Sequence, residues 1–181
     1  MRYILTIFFA VLITYCNAQD SDNKLLDAVK NNNIREVSSQ LDQGADVNSV
    51  DTNGATALMW AIYKADLSLA NLLVSRGADY SIKGVIYLDS LKEGYYGNLL
   101  GIAAGEGELE KLKYLIEDLE IPAGDRELDP ETGQERGWTA TKWAYENDQS
   151  NCYDYLASKG FDMVWDKQDY LSITLKQFGK N

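Results

Sequence analysis

Carboxylates are the first candidates for acid–base or metal chemistry in this sequence, because Asp and Glu are abundant and the chain contains no histidine. A Ser-His-Asp or Cys-His catalytic site and a His-liganded metal centre are therefore excluded. Carboxylates come together in one turn-rich stretch that holds Asp125, Asp129 and Glu131. Their spacing lacks the twelve-residue order of an EF-hand calcium loop. A solvated hairpin explains them better, and the sequence predicts neither a metal site nor a cofactor.

An enzyme that uses carboxylates remains a distant alternative, for example a hydrolase of sugars with Asp129 and Glu131 as its acids. Such an enzyme needs two carboxyl groups held about 5 to 10 Å apart in a pocket. Nothing in the sequence places a pair at that separation. The sequence therefore predicts a protein that is not an enzyme.

The charge of the chain limits its partners. It has 181 residues, with 28 acidic against 17 basic side chains and a formal net charge of −11. This balance repels nucleic-acid phosphates and anionic lipid surfaces, so we expect no nucleic acid as a partner and no membrane insertion. A basic protein would be attracted, although acidic surfaces also serve solubility alone. The length suits one globular domain, expected to act as a monomer.

Residues 1–18 have the pattern of a secretory signal peptide. Arg2 precedes an apolar run over residues 3–15, and Ala18 offers a small residue at the cleavage point. The run is too short to cross a bilayer as a helix. A buried N-terminal helix is one alternative, and a lipid anchor on Cys16 is another, although the bulky Tyr15 beside it argues against lipidation. We expect an exported protein, periplasmic or secreted, whose mature form keeps Cys152 as its single thiol.

The rest of the chain contains an internal repeat. Gly44-Ala45-Asp46 recurs as Gly77-Ala78-Asp79 at a shift of 33 residues. The segment Gly54–Ala61 recurs as Gly137–Ala144 at a shift of 83, and the same shift carries Gly77 onto Gly160. A register kept over two separate motifs is rarely due to chance. Periods of this length are typical of stacked repeat architectures.

These motifs resemble the ankyrin repeat, a unit of about 33 residues with a Thr-Pro-Leu-His-like helix start and a Gly-Ala-Asp turn. The resemblance covers residues 22–162 and implies an all-α ankyrin-repeat solenoid of about four helix-pair units with long finger loops. Residues 163–181 would form a C-terminal capping helix or a tail. The third unit is the weakest match, because Leu119 stands where Gly77 predicts a closing glycine.

Local signals support the same units. The apolar residues from Leu67 to Val74 recur at three- and four-residue steps, which indicates a helix with one buried face. Gly77 can end that helix in a left-handed conformation. Thr56 stands where its hydroxyl could cap the following helix. Each helix pair leaves an apolar face that only a neighbouring unit can cover, so the units must stack.

Two insertions interrupt the period, at residues 82–97 and 119–136. Both fall between the second helix of one unit and the first helix of the next, where ankyrin-like stacks have their finger loops. The first insertion carries Tyr87, Tyr95 and Tyr96, and tyrosines in loops favour protein interfaces. The alternative is that these side chains fold back onto the third unit.

The resemblance also implies which positions of the regular units contact a partner. They lie before the first helix and at its end: Thr52, Asn53, Ala55, Tyr63, Lys64, Trp138, Glu146 and Asn147. Trp60 and Trp143 are expected to pack between repeats, and Cys152 is expected to be a small core residue. We therefore expect a protein-binding adaptor or inhibitor. An immunity-type protein that neutralises a basic toxin and a purely structural envelope protein are the alternatives.

Overall fold

The computed structural model describes most of the repeat region, namely residues 22–64, 67–87, 95–122 and 139–161. The predicted signal peptide (1–18), the predicted C-terminal cap (163–181) and Trp138 lie outside the described residues. The chain divides into two compact units, residues 1–82 and 83–181. The fold class is all-α with ankyrin-type helix pairs, as the sequence predicted.

The described residues of the first unit form two helix pairs. The first pair consists of α1, which is helical over residues 22–30, and α2 (Ile34–Asp42). The second pair consists of α3 (Ala57–Lys64) and α4 (Leu67–Ser75), which pack against each other. Apolar side chains spaced at helical steps form the core, and the largest that are fully buried are Leu25, Leu58, Met59, Ile62, Leu69 and Leu73.

Two further pairs lie in the part of the second unit that the structure describes. Its helices are α5 (Leu99–Gly105), α6 (Leu109–Lys113), α7 (Ala140–Glu146) and α8 (Ser150–Ser158). Helix α5 packs on α7 and α6 packs on α8, so the third and fourth repeats form adjacent layers. Every residue of α5 is buried, and its glycines and alanines let the neighbouring helix approach closely.

The first insertion adds two short strands to this all-α plan. Strand β1 (Ile86–Tyr87) pairs antiparallel with β2 (Tyr95–Tyr96), with Ile86 opposite Tyr96 and Tyr87 opposite Tyr95. The two ends of the predicted finger are thereby held together by backbone pairing. Of the second insertion the structure describes residues 119–122, in which Ile121 is buried and donates its amide N–H to the Leu115 carbonyl at 3.1 Å.

The first helices of the second, third and fourth repeats begin at capping residues in the same frame. Thr56 Oγ1 accepts from the Met59 amide at 3.1 Å, which confirms the predicted cap. The corresponding oxygens of the other two repeats accept from the amide three residues on, at 2.7 Å for Asn98 and 3.3 Å for Thr139. Each cap satisfies one amide that the first helical turn leaves free.

The second helices end two residues before a left-handed residue. That residue is Gly44, Gly77 or Gly160 in the first, second and fourth repeats, with φ of 93°, 90° and 77°. In the third repeat it is Glu120, with φ of 52°. The predicted closing position at Leu119 is therefore wrong by one residue.

A π-helical turn explains this offset. The other three second helices have nine residues each, whereas α6 contributes five residues and continues directly into a five-residue π-helical turn, Tyr114–Asp118. The Leu119 amide donates to the Tyr114 carbonyl at 3.1 Å, a bond of the π type that accommodates one extra residue. One extra residue is thus accommodated inside the helix, and the closing residue moves along by one.

Candidate protein-interaction surface

A tight turn precedes α3 in the second repeat. The Asp51 carboxylate accepts from the amides of Asn53 at 3.0 Å and Ala55 at 3.1 Å, and Gly54 has a φ of 78°. An aspartate that binds amides two and four residues on holds such a turn closed. Thr52 and Asn53 are exposed at its tip. Ala55 is 0% exposed, so its predicted place on the contact surface is wrong, because its side chain points into the core.

Trp60 ties this turn to α3. Its indole Nε1 donates to Asp51 Oδ2 at 2.9 Å, and the ring is only half-buried. The prediction that Trp60 is a core residue is therefore wrong, because its polar edge bonds to the turn and part of the ring stays at the surface. The prediction for Trp143 is confirmed, since that side chain is only 6% exposed.

Two lysines lie near the Trp60 ring. The Nζ atom of Lys30 is 4.6 Å from the ring centroid and that of Lys64 is 5.6 Å from it, both within cation–π range. Lys30 also pairs with Asp51 Oδ2 at 3.3 Å. The Tyr63 ring meets Trp60 edge-on with centroids 6.0 Å apart. We call Lys30, Asp51, Trp60, Tyr63 and Lys64 the Trp60 cluster.

The Asp51 carboxylate is held ionised inside this cluster. Burial raises its pKa, but the bond from the Trp60 indole, the two turn amides and Lys30 together outweigh burial and leave the pKa below its ordinary value. A carboxylate with so many donors is a poor general base. Asp51 therefore positions the turn and the indole rather than doing chemistry.

The remaining predicted contact residues lie in the second unit. Glu146 is exposed at the end of α7, and Asn147 is half-buried with its Nδ2 donating to the Trp143 carbonyl at 3.0 Å. Tyr87, Tyr95 and Tyr96 belong to the paired strands β1 and β2, and this pairing fixes the positions of their backbones. In the first unit the structure brings Tyr63 and Lys64 together around Trp60.

Two members of this cluster, Lys30 and Asp51, were not predicted from the sequence, and neither was the surface position of Trp60. One available signal was the repeat period itself, because the shift of 33 residues places Lys30 in frame with Tyr63 at the end of a first helix. The second available signal was the indole N–H of Trp60, because a tryptophan N–H that is removed from water usually donates a hydrogen bond to a nearby acceptor. Asp51 stands nine residues before it in the same repeat.

Other reactive groups fit a structural role. Cys152 is fully buried, which confirms it as a core residue, and burial and then the Glu108 charge raise the pKa of its thiol to about 11. In the part of the chain that the structure describes, no cluster of three or more His, Cys, Asp or Glu side chains is arranged to hold a metal ion. Within the same residues, none of the helices has the length and apolar character needed to cross a membrane.

Comparisons with known proteins point to the same repeat. A family model described as ankyrin repeats (3 copies) matches residues 6–84. The chain is similar to the mitochondrial disaggregase of Homo sapiens, with 41% identity over 73 residues, which is 39% of this chain and 10% of that protein. The Bos taurus mitochondrial disaggregase is 38% identical over 71 residues, 38% of this chain and 10% of that protein.

The matched range begins within the predicted signal peptide and ends at residue 84. It therefore covers the first two helix pairs, while the third and fourth are recognised by their in-frame caps and closing residues. The chain spans about a tenth of the length of the two disaggregases. Repeats of this family form protein–protein interaction modules and are typically not enzymes. The chain thus contains ankyrin repeats, matched over residues 6–84.

Proposed function

We propose that this protein is an exported adaptor or inhibitor that acts as a monomer and binds a protein partner without catalysis. In the first unit, the proposed contacts are the exposed turn tip at Thr52 and Asn53 and the end of α3 at Tyr63 and Lys64. In the second unit, taken by itself, they are Tyr87, Tyr95 and Tyr96 of β1 and β2. The export proposal rests on the signal-peptide pattern of residues 1–18. The similarity to the disaggregases covers a tenth of those proteins, so their activity is not part of the proposal.

The observation that carries the proposal is the bond from Trp60 to Asp51. A surface that is already ordered loses little conformational entropy when a partner binds. This supports the turn and the α3 end as a preformed recognition surface rather than as a mere connection.

The distribution of charge supports a second candidate, an immunity-type protein that neutralises a basic toxin. Residues 83–161 contain 16 acidic and 8 basic side chains, whereas residues 22–82 contain 8 and 5. The excess of acid is therefore concentrated in the second unit. Such a surface would attract a basic protein and speed its association. Rescue of growth on co-expression with a co-purifying toxic partner would select this candidate over an adaptor.

Photo-crosslinking in the native host tests the binding proposal. A photoreactive amino acid at Asn53 places the probe on the turn tip, and the same amino acid at Asn71 places it on the exposed side of α4. We expect a discrete protein adduct from position 53 and none from position 71. Equal adducts from both positions, or none from either, would contradict a contact surface at the turn.

The export proposal has its own test. Mass spectrometry of the protein recovered from the native host should find a mature N-terminus at Gln19, and size-exclusion chromatography should give the mass of one chain. A diacylglyceryl group on Cys16 would replace the proposed cleavage with a lipid anchor. An intact N-terminus at Met1 would remove the export proposal while leaving the binding proposal in place.

A further inference from the structure

We propose that the Trp60 cluster is a docking site for an extended segment of the partner protein in which an acidic side chain adjoins an apolar one. This rests on the proposed binding function and names the chemistry that one part of the surface recognises. The site lies entirely within the first unit, between the end of α1, the turn at Asp51 and the end of α3.

The apolar half of the site is the pair of aromatic rings. Trp60 and Tyr63 are both half-buried, and their rings meet at an interplanar angle of 69° with centroids 6.0 Å apart. The indole N–H is already bonded to Asp51, so the orientation of the ring is fixed before any partner arrives. Large, fixed aromatic rings at a surface are the usual anchors of protein interfaces.

The charged half of the site is cationic. Lys30 pairs with Asp51, and the exposed fractions of the two side chains are 31% and 11%, so the lysine is the more exposed member of the pair. Lys64 is exposed, with its ammonium on the same ring as that of Lys30. In a chain of net charge −11, this cluster therefore presents positive charge to a partner.

The two halves together define the occupant. An exposed ion pair contributes little to affinity by itself, because both partners are well solvated and lose side-chain freedom. A carboxylate that pairs with either lysine therefore needs an apolar neighbour on the rings to bind measurably. A basic segment would place its cation beside two ammonium groups, which is unfavourable. The site thus favours an acidic-apolar pair of side chains.

The test uses random twelve-residue peptides displayed on phage and selected on the immobilised full-length chain. The best binders are resynthesised with fluorescein, and their affinities are measured by fluorescence anisotropy. We expect Asp or Glu next to a large apolar residue in the selected peptides. The substitution Lys64→Glu should weaken their binding about tenfold or more, and Trp60→Leu should do the same in protein whose circular dichroism spectrum is unchanged.

Arg35→Glu is the matched control, because it changes the charge equally and lies on an exposed position of α2 in the same unit. Its affinity for the peptides should equal that of the wild type. Peptides without acidic residues, equal losses for Lys64→Glu and Arg35→Glu, or no enriched peptide at all would each overturn the docking site. The crosslinking at Asn53 decides the binding function independently, so a failure here is distinguishable from a failure there.

Discussion

Trp60 Nε1 and Asp51 Oδ2 are joined by a hydrogen bond of 2.9 Å, which connects the turn before α3 to the middle of that helix. The bond satisfies the polar edge of a ring that is otherwise apolar. It also recruits a carboxylate that holds two turn amides. One acidic side chain thereby sets both the shape of the turn and the position of the aromatic surface beside it.

Replacing this carboxylate should destabilise the first unit. Asp51→Asn removes the negative charge of the carboxylate to which both Lys30 and the Trp60 indole donate. Hydrogen bonds to charged groups contribute roughly 1.5–3 kcal/mol. We therefore expect the free energy of unfolding to fall by about 2 kcal/mol in urea titrations. Asp42→Asn, which breaks the exposed pair with Arg76, is the control and should cost less than about 1 kcal/mol.

The same residue predicts a dependence on pH. Because the folded pKa of Asp51 lies below its ordinary value of 3.8, its ionisation stabilises the folded protein above that pH. This contribution is lost as the pH falls through the folded pKa. Between pH 5 and pH 3 the melting temperature of the wild type should therefore fall more steeply than that of Asp51→Asn. Parallel curves would show that Asp51 is not held ionised by the fold.

Asparagine and threonine should be able to replace each other as the N-cap of a first helix. Asn98→Ala removes the acceptor of the Gly101 amide within a buried site and should cost about 1 kcal/mol or slightly more. Asn98→Thr restores the residue found in frame at Thr56 and Thr139, and it should recover most of that loss in thermal unfolding. Equal destabilisation by Ala and Thr would mean that Asn98 acts through packing or another contact rather than as a cap.

The repeat could be recognised from sequence because its signals are local. Thr56, Gly77 and Gly160 act through backbone groups within a few residues, so their positions in the period predicted helix starts and ends. Trp60 could not be assigned this way. Whether a tryptophan packs inward or bonds outward depends on a partner in the turn, and the period alone does not distinguish the two. Ala55 was misplaced for a related reason, since it closely follows the exposed turn tip at Thr52 and Asn53 but is itself fully buried.

Cys152 should be almost unreactive in the native protein. Burial, followed by the charge of Glu108, raises the pKa of its thiol to about 11, so at pH 8 only roughly one thiol in a thousand is ionised. In a Cys16→Ser chain, labelling by a disulfide reagent should therefore be slow and should follow opening of the second unit. Urea at unfolding concentration is the control and should give one rapidly labelled thiol per chain. Rapid labelling without urea would place Cys152 at an accessible surface.

The π-helical turn predicts which residue closes the third repeat. Glu120 adopts a left-handed conformation that costs an ordinary residue roughly 1 kcal/mol and costs glycine little. Glu120→Gly should therefore raise the free energy of unfolding by about 0.5–1 kcal/mol in urea titrations. Leu119→Gly, at the position that the repeat period assigns to glycine, lies in the right-handed region with φ of −95° and should destabilise the protein. The opposite order of these two variants would mean that the extra residue is not absorbed between Tyr114 and Asp118.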